Sequence, residues 1–348
     1  MLNIPLHKER LSVAKLQPHC WKYQDTPTPQ PGPEDVLIRI KSCGVCATDL
    51  HIYNGEFISR FPLVPGHEFS GEVAKVGDKV EDIKVGDKVT VDNAIYCGSC
   101  EFCRNNKEHF CLNFRSIGVT QNGAFAEYVV AHKSHVYDIE NLSYDEASFT
   151  EPLSCAIHGF KLLGVTPGAQ ILVFGAGPTG LMLLQLAKYS DCSLVVIADP
   201  NYCKLDKAKE LGADFAIFAD RSDHVKNREV LLNIAPLGYD YVIDATGKPE
   251  VQENCLWLVK KGGKFLVFGL APNKSTVRMN PYELLIREIT IIGSNCQLYD
   301  FSAALKLLKA GLIKVRPLIT HKFPLEEFGK ALEIAQTSHE KLKIIINP

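Results

Sequence analysis

The chain has 348 residues, 46% of them hydrophobic and 22% charged, the proportions of a globular protein with enough apolar side chains to core two domains. Its 38 basic and 40 acidic residues leave a formal charge of -2, so no overall field favours nucleic acid or an anionic membrane, and a small molecule is the expected partner. The twelve cysteines read as thiols and metal ligands rather than a disulfide framework, because the first twenty residues carry Lys8, Glu9 and Arg10 without a long apolar core, and a cytoplasmic location is the expectation.

Pro27, Pro29, Pro31 and Pro33 stiffen the approach to the first strong strand, predicted over 36–40. A second strand is predicted over 72–76, with Gly-Asp turns at 77–78 and 86–87, so the region to about residue 136 is expected to be all-β or α+β. It contains Cys46-Ala47-Thr48-Asp49-Leu50-His51 and Gly66-His67-Glu68-Phe69, and Glu151-Pro152-Leu153 follows it. Each of these residues alone says little, since a lone His or Glu more often serves as a hydrogen-bonded core or surface group than as a ligand. Cys97, Cys100, Cys103 and Cys111 differ: four soft thiolates on one short loop suffice to close a tetrahedral zinc site with no position left for substrate. Glu101, Arg104, Lys107 and Glu108 give that loop mixed charge, unlike a DNA-binding zinc module.

From Gln170 onward, apolar strands at 171–174, 194–198, 241–245 and 265–268 alternate with helical stretches such as 181–189 and 204–211, which predicts a parallel, doubly wound sheet. The apolar run 171–187 is broken by Gly175, Gly177, Pro178, Thr179 and Gly180, so it suits a strand, turn and helix better than a membrane span. Gly175-x-Gly177-x-x-Gly180 after a strand and before a helix is the context in which such glycines bind a dinucleotide: a tight turn, close backbone approach to a pyrophosphate, and helix-to-strand packing. Asp199 closes the next strand, where a carboxylate accepts from both ribose hydroxyls and repels a 2'-phosphate, which favours NAD over NADP; Lys204 could contact a ribose hydroxyl or a phosphate. Helices at 301–310 and 325–336 and a strand at 342–346 complete the chain, the last expected to return to the first domain.

The order Cys46-x-Thr48-Asp49-x-His51, Gly66-His67-Glu68-x-x-Gly71, the four-cysteine loop, Glu151-Pro152-Leu153, Gly175-x-Gly177-x-x-Gly180 and Asp199 resembles zinc-containing medium-chain dehydrogenases from about Pro33 to the C-terminus. The Glu-Pro-Leu segment resembles the sorbitol and polyol branch. This resemblance implies an α/β fold: a GroES-like, β-rich catalytic domain over 1–148 carrying the structural zinc loop, a Rossmann NAD-binding domain over 149–296, and a segment 297–348 returning to the first. It implies two zinc ions per chain, NAD, a homodimer or homotetramer, and a catalytic zinc held by Cys46, His67 and Glu151. One thiolate, one neutral imidazole and one carboxylate sum to about -2, which neutralises the ion yet leaves it a Lewis acid. Glu68 as a permanent fourth ligand would fill the open position, so it is expected nearby or as a transient ligand.

By the same resemblance Thr48 receives the alcohol proton and His51 passes it outward, with a satisfied surface histidine as the equal alternative for His51. Thr179, Lys204, the backbone of Phe268-Gly269-Leu270 and that of Ser294-Asn295-Cys296 are implied as cofactor contacts. The expected reaction is oxidation of a secondary hydroxyl of a pentitol, hexitol or polyol phosphate. A vicinal diol such as butanediol is the alternative, and threonine stands behind both. Cys296-Gln297 replaces the Arg-Tyr pair usual in sorbitol dehydrogenases, which points away from sorbitol itself. Two readings of other classes are a zinc-free quinone or enoyl reductase, with little use for Cys46, His67 and Glu151 together, and a catalytically silent binding protein on the same fold.

Overall fold

The computed structural model describes residues 10–348, so the expectation placed on Lys8 and Glu9 lies outside the described residues. The chain divides into two compact units, the first comprising the residues up to Glu151 together with Ile319–Pro348 and the second Pro152–Leu318.

In the first unit the strand Asp35–Val45 is buried on both faces over much of its length, as its run of Val36, Leu37, Ile38 and Ile40 requires. It pairs antiparallel with Glu68–Val76 on one side and with Lys343–Asn347 on the other, and Tyr128–His132 also pairs along it. Beyond these partners the sheet continues through Lys88–Val91 and Val136–Asp138 at one side and Ile319–Pro324 at the other. Phe69, Phe125, Phe328, Ile38 and Ile346 fill one shared core, so the C-terminal strand and the helix Phe328–Thr337 belong to the same packing as the N-terminal half.

The second unit holds a six-stranded parallel sheet in the order Phe215–Phe218, Leu194–Asp199, Gln170–Phe174, Tyr239–Asp244, Val259–Val267, Thr290–Gly293. Helices Pro178–Tyr189, Tyr202–Glu210, His224–Ile234 and Pro249–Leu258 connect successive strands, which is why the central strands read as unbroken apolar runs. Strand order reverses between Gln170–Phe174 and Tyr239–Asp244, creating the crevice where such sheets bind ligands. The chain re-enters the first unit at Ile319, later than residue 297. Two ties keep the intervening stretch in the second unit: Asp300 pairs with Lys161 and stands 3.6 Å from His158 Nδ1, and Gln185 accepts from the Lys314 amide at 2.7 Å. No helix among the described residues is long and apolar enough to cross a membrane.

Candidate metal and cofactor sites

Two groups of ligating side chains close up among the described residues, and in each every pair of donor atoms lies within 4.8 Å. Cys97, Cys100, Cys103 and Cys111 form the first. Cys97 and Cys103 sulfurs are 3.9 Å apart, Cys100 and Cys103 sulfurs 3.5 Å, and Cys111 Sγ accepts from the backbone amides of Cys97 and Asn113, each at 3.3 Å. Amides of Ser99 and Cys100 pull the Cys97 thiol down to about 5, while burial pushes Cys103 up to about 12. Four converging sulfurs fed by backbone donors fit a closed, structural zinc.

The second group is Cys46, His67 and Glu68. It differs from the expected set: Glu151 is outside it and Glu68 inside. The reason is local. Cys46 caps the helix Ala47–Tyr53, and His67-Glu68 opens the strand Glu68–Val76, whose pairing sets Glu68 opposite Gly44, two residues before Cys46. Glu151 lies in the first turn of the helix Thr150–Leu163, from where its charge acts on Lys343.

Buried acidic groups surround these donors and favour positive charge among them. His67 is buried, and burial alone would lower its basicity, yet Asp49 and Cys46 hold it well above the ordinary imidazole value. Asp49 is fully buried; its Oδ2 accepts from the Cys46 amide at 2.8 Å, and its Oδ1 stands 3.6 Å from His67 Nδ1. Glu68 is 1% exposed, with Oε2 accepting from Lys343 Nζ at 2.5 Å and Oε1 buried without a hydrogen-bond partner. A thiol, an imidazole and an orphaned carboxylate oxygen, converging in a field that favours a cation, fit a zinc ion. Thr48 Oγ1 is 3.6 Å from Cys46 Sγ, and His51 Nδ1 is 2.9 Å from Glu56 Oε2, and both expected proton-handling groups lie on the helix Ala47–Tyr53.

Asp49 and Lys343 carry roles that reading the sequence did not assign. Asp49 is recoverable from the short spacing Cys46-x-x-Asp49 that closes a helix cap. Lys343 gives no sequence signal, since it meets Glu68 across 275 residues.

In the second unit, the carboxyl ends of the parallel strands gather the expected cofactor residues. Gly175, at φ +98°, leads into the helix Pro178–Tyr189, which Gly177 caps and Pro178 opens. A Cβ at Gly180 would stand 1.8 Å from the Gly175 carbonyl, whereas one at Gly177 would meet nothing within 4 Å, leaving that side free for a pyrophosphate. Thr179 follows in the first turn of the same helix. Asp199 Oδ2 accepts from the Ala176 amide at 2.8 Å and Oδ1 from Asn201 at 2.9 Å, so its charge is tied to the glycine turn. Burial lowers the Lys204 ammonium and Asp199 opposes that. Phe268 packs beside Gly159, Gly269 against Gly247, and Leu270 is exposed. Ser294 Oγ is buried without a hydrogen-bond partner at the end of the last strand, and Asn295 and Cys296 follow it exposed, Cys296 at φ 54°. An open glycine-capped helix end, an acid beside it and an orphaned hydroxyl fit a nicotinamide dinucleotide.

Residues 32–141 match the family model of the alcohol dehydrogenase GroES-like domain, and residues 178–310 that of the zinc-binding dehydrogenase. D-arabinitol dehydrogenase 1 of Uromyces fabae is 40% identical over 90% of both chains. D-arabitol-phosphate dehydrogenase of Enterococcus avium is 35% identical over 93% of both. A zinc-binding dehydrogenase from Sinorhizobium meliloti 1021, solved bound to NADP, superposes with a TM-score of 0.91 at 30% identity, covering 98% of this chain and 100% of that one.

Proposed function

The chain belongs to the zinc-binding dehydrogenases with an alcohol dehydrogenase GroES-like domain, and on that premise we propose that it oxidises a secondary hydroxyl of a polyol, a pentitol first, to the ketone, with NAD as hydride acceptor. The observation that carries this reading is the convergence of Cys46, His67 and the unpartnered Glu68 Oε1, which supports Glu68 in place of Glu151 as the third ligand of a catalytic zinc. When bound, zinc supplies Lewis-acid polarisation that lowers the pKa of an alcohol, and NAD accepts the hydride.

The protein's own residues do the rest. Asp49 fixes the His67 ring, and Glu151 adds negative charge to the pocket without ligating. Thr48, on the first turn beyond Cys46, takes the alcohol proton. Glu56 holds His51 Nδ1, which leaves Nε2 to carry that proton onward. Gly175, Gly177 and Gly180 seat the pyrophosphate, and Asp199 disfavours a 2'-phosphate, against the NADP found in the Sinorhizobium meliloti relative. We assign catalysis to the first unit, cofactor binding to the second, and the closed zinc to Cys97, Cys100, Cys103 and Cys111. The active species is a homodimer or homotetramer. A cytoplasmic setting is supported by twelve cysteines with no disulfide among the described residues.

The test is kcat/KM over D-arabinitol, xylitol, sorbitol, D-arabinitol phosphate, 2,3-butanediol and L-threonine, each with NAD and NADP. A pentitol with NAD should exceed the diol and threonine at least ~10-fold, which corresponds to about 1.4 kcal/mol of transition-state binding. Preference for threonine or butanediol would overturn the polyol assignment, and preference for D-arabinitol phosphate, the chemistry named for the Enterococcus avium relative, would move the substrate to the phosphorylated class.

A further inference from the structure

The ion pair between Lys343 and Glu68 is not explained by stability. Lysine is among the residues least often buried, and a buried pair is often no more stable than apolar side chains of the same volume. Yet Lys343 is 4% exposed and Glu68 1%. Lys343 arrives on the C-terminal strand, which pairs antiparallel with the strand leading to Cys46, with Ile344 opposite Val45 and Ile345 opposite Gly44. Its Nζ donates to Glu68 Oε2 at 2.5 Å, lies 3.4 Å from the Val45 carbonyl, and stands 5.6 Å from the centre of the Phe149 ring. Gly44 backs the same oxygen: a Cβ there would come within 2.2 Å of Oε2. One carboxylate oxygen is thus enclosed, and the other, Oε1, is buried without a hydrogen-bond partner.

A carboxylate can bind zinc through one oxygen or through both. With Cys46 and His67, a two-oxygen Glu68 would complete four-coordination from protein atoms alone and leave no position for an alcohol. We propose that Lys343 is a positioning residue that sequesters Oε2 of Glu68, so that the carboxylate offers the metal a single oxygen, Oε1, and a coordination position stays open for the substrate hydroxyl. This rests on the reading of Glu68 as a zinc ligand.

The experiment compares the full-length enzyme with Lys343→Met, Lys343→Arg and Glu68→Gln. Zinc per chain is measured after dialysis against a graded chelator, kcat is measured on the zinc form, and Co(II) is exchanged into the more weakly held site for its d–d absorption. Lys343→Met should keep two metals per chain, lose about 10- to 100-fold in kcat, and show shifted Co(II) bands as the second Glu68 oxygen takes the position otherwise open to substrate. Lys343→Arg, which keeps a cation able to hold Oε2, should restore the native bands and most of kcat. Native bands, native kcat or outright loss of the metal in Lys343→Met would each overturn the proposal; the last would make Lys343 a prop for Glu68 and not a guard of its second oxygen. Should Lys343→Met fail to fold, Lys343→Leu, which likewise removes the N–H donor, is read by the same outcomes. Glu68→Gln separates the premise: if it holds both metals with native affinity, Glu68 is no ligand. If it loses one while Lys343→Met behaves as native, Glu68 stays a ligand and Lys343 loses its role.

Discussion

Asp49 serves two partners with one carboxylate, accepting from the Cys46 amide through Oδ2 and facing His67 Nδ1 through Oδ1. Asparagine at this position preserves shape but removes the charge that orients and strengthens the imidazole as a donor to metal. Asp49→Asn is therefore expected to lose about 10- to 100-fold in affinity for the catalytic zinc, measured by chelator competition, with the four-cysteine zinc retained. Unchanged affinity would reduce Asp49 to a helix cap. At this scale the sequence is legible where partners are close along the chain, as in Cys46 and Thr48, and incomplete where they are not. Glu151 is the expected third ligand, whereas the acid whose donor atom closes up with Cys46 and His67 is Glu68, because the register of Glu68–Val76 on Asp35–Val45 decides which acid faces Cys46, and residue type alone cannot carry a register.

The strand–turn–helix from Gln170 to Tyr189 is an element whose geometry is written locally, and its glycines were readable for that reason. Gly180 admits no side chain, since a Cβ would lie 1.8 Å from the Gly175 carbonyl. Gly180→Ala should force the turn open and weaken NAD binding by at least ~10-fold in a fluorescence titration, without changing the zinc content, because the ligands of both zinc sites lie in the other unit; native affinity would remove Gly180 from the cradle. A different element is secured by Asp145, which joins the helix Tyr144–Ala147 to the strand Ile319–Pro324 through Lys322. Burial alone would raise the Asp145 carboxyl, but Lys322 and Ser42 outweigh it and hold it below the ordinary value. A depressed carboxyl stabilises the fold above its unfolded pKa and loses that contribution as pH falls through its folded pKa. Lys322→Met should thus cost up to about 1 kcal/mol at pH 7 in urea titrations, a gap that closes as the pH is lowered into the carboxylate range. A gap that widened with acid would contradict the pairing.

At the scale of the whole molecule, the alternation of strands and helices after Gln170 revealed the second unit because each strand–helix pair is built from neighbours in sequence. The first unit was less legible, because its sheet takes strands from both ends of the chain: Lys343–Asn347 lies between Ile319–Pro324 and Asp35–Val45. Each unit has its own core, both metal groups fall in the first, and the glycine cradle falls in the second. Ligands should therefore act on the two units separately. The two tryptophans report one unit each: Trp21 packs edge-on against Phe328 at 5.7 Å in the first, and Trp257 carries Arg228 over its ring at 5.7 Å in the second. NAD at about 100 times its dissociation constant stabilises its unit by roughly 2.7 kcal/mol, and a unit of this size shifts by about 2–4 °C per kcal/mol. In a Trp21→Phe variant, NAD should raise the Trp257 melting transition by roughly 5–10 °C. In a Trp257→Phe variant, a chelator strong enough to strip zinc should lower the Trp21 transition by more than NAD moves it. Identical shifts of both reporters under both treatments would mean that the chain unfolds as one cooperative body, with metal and cofactor stabilising the same transition.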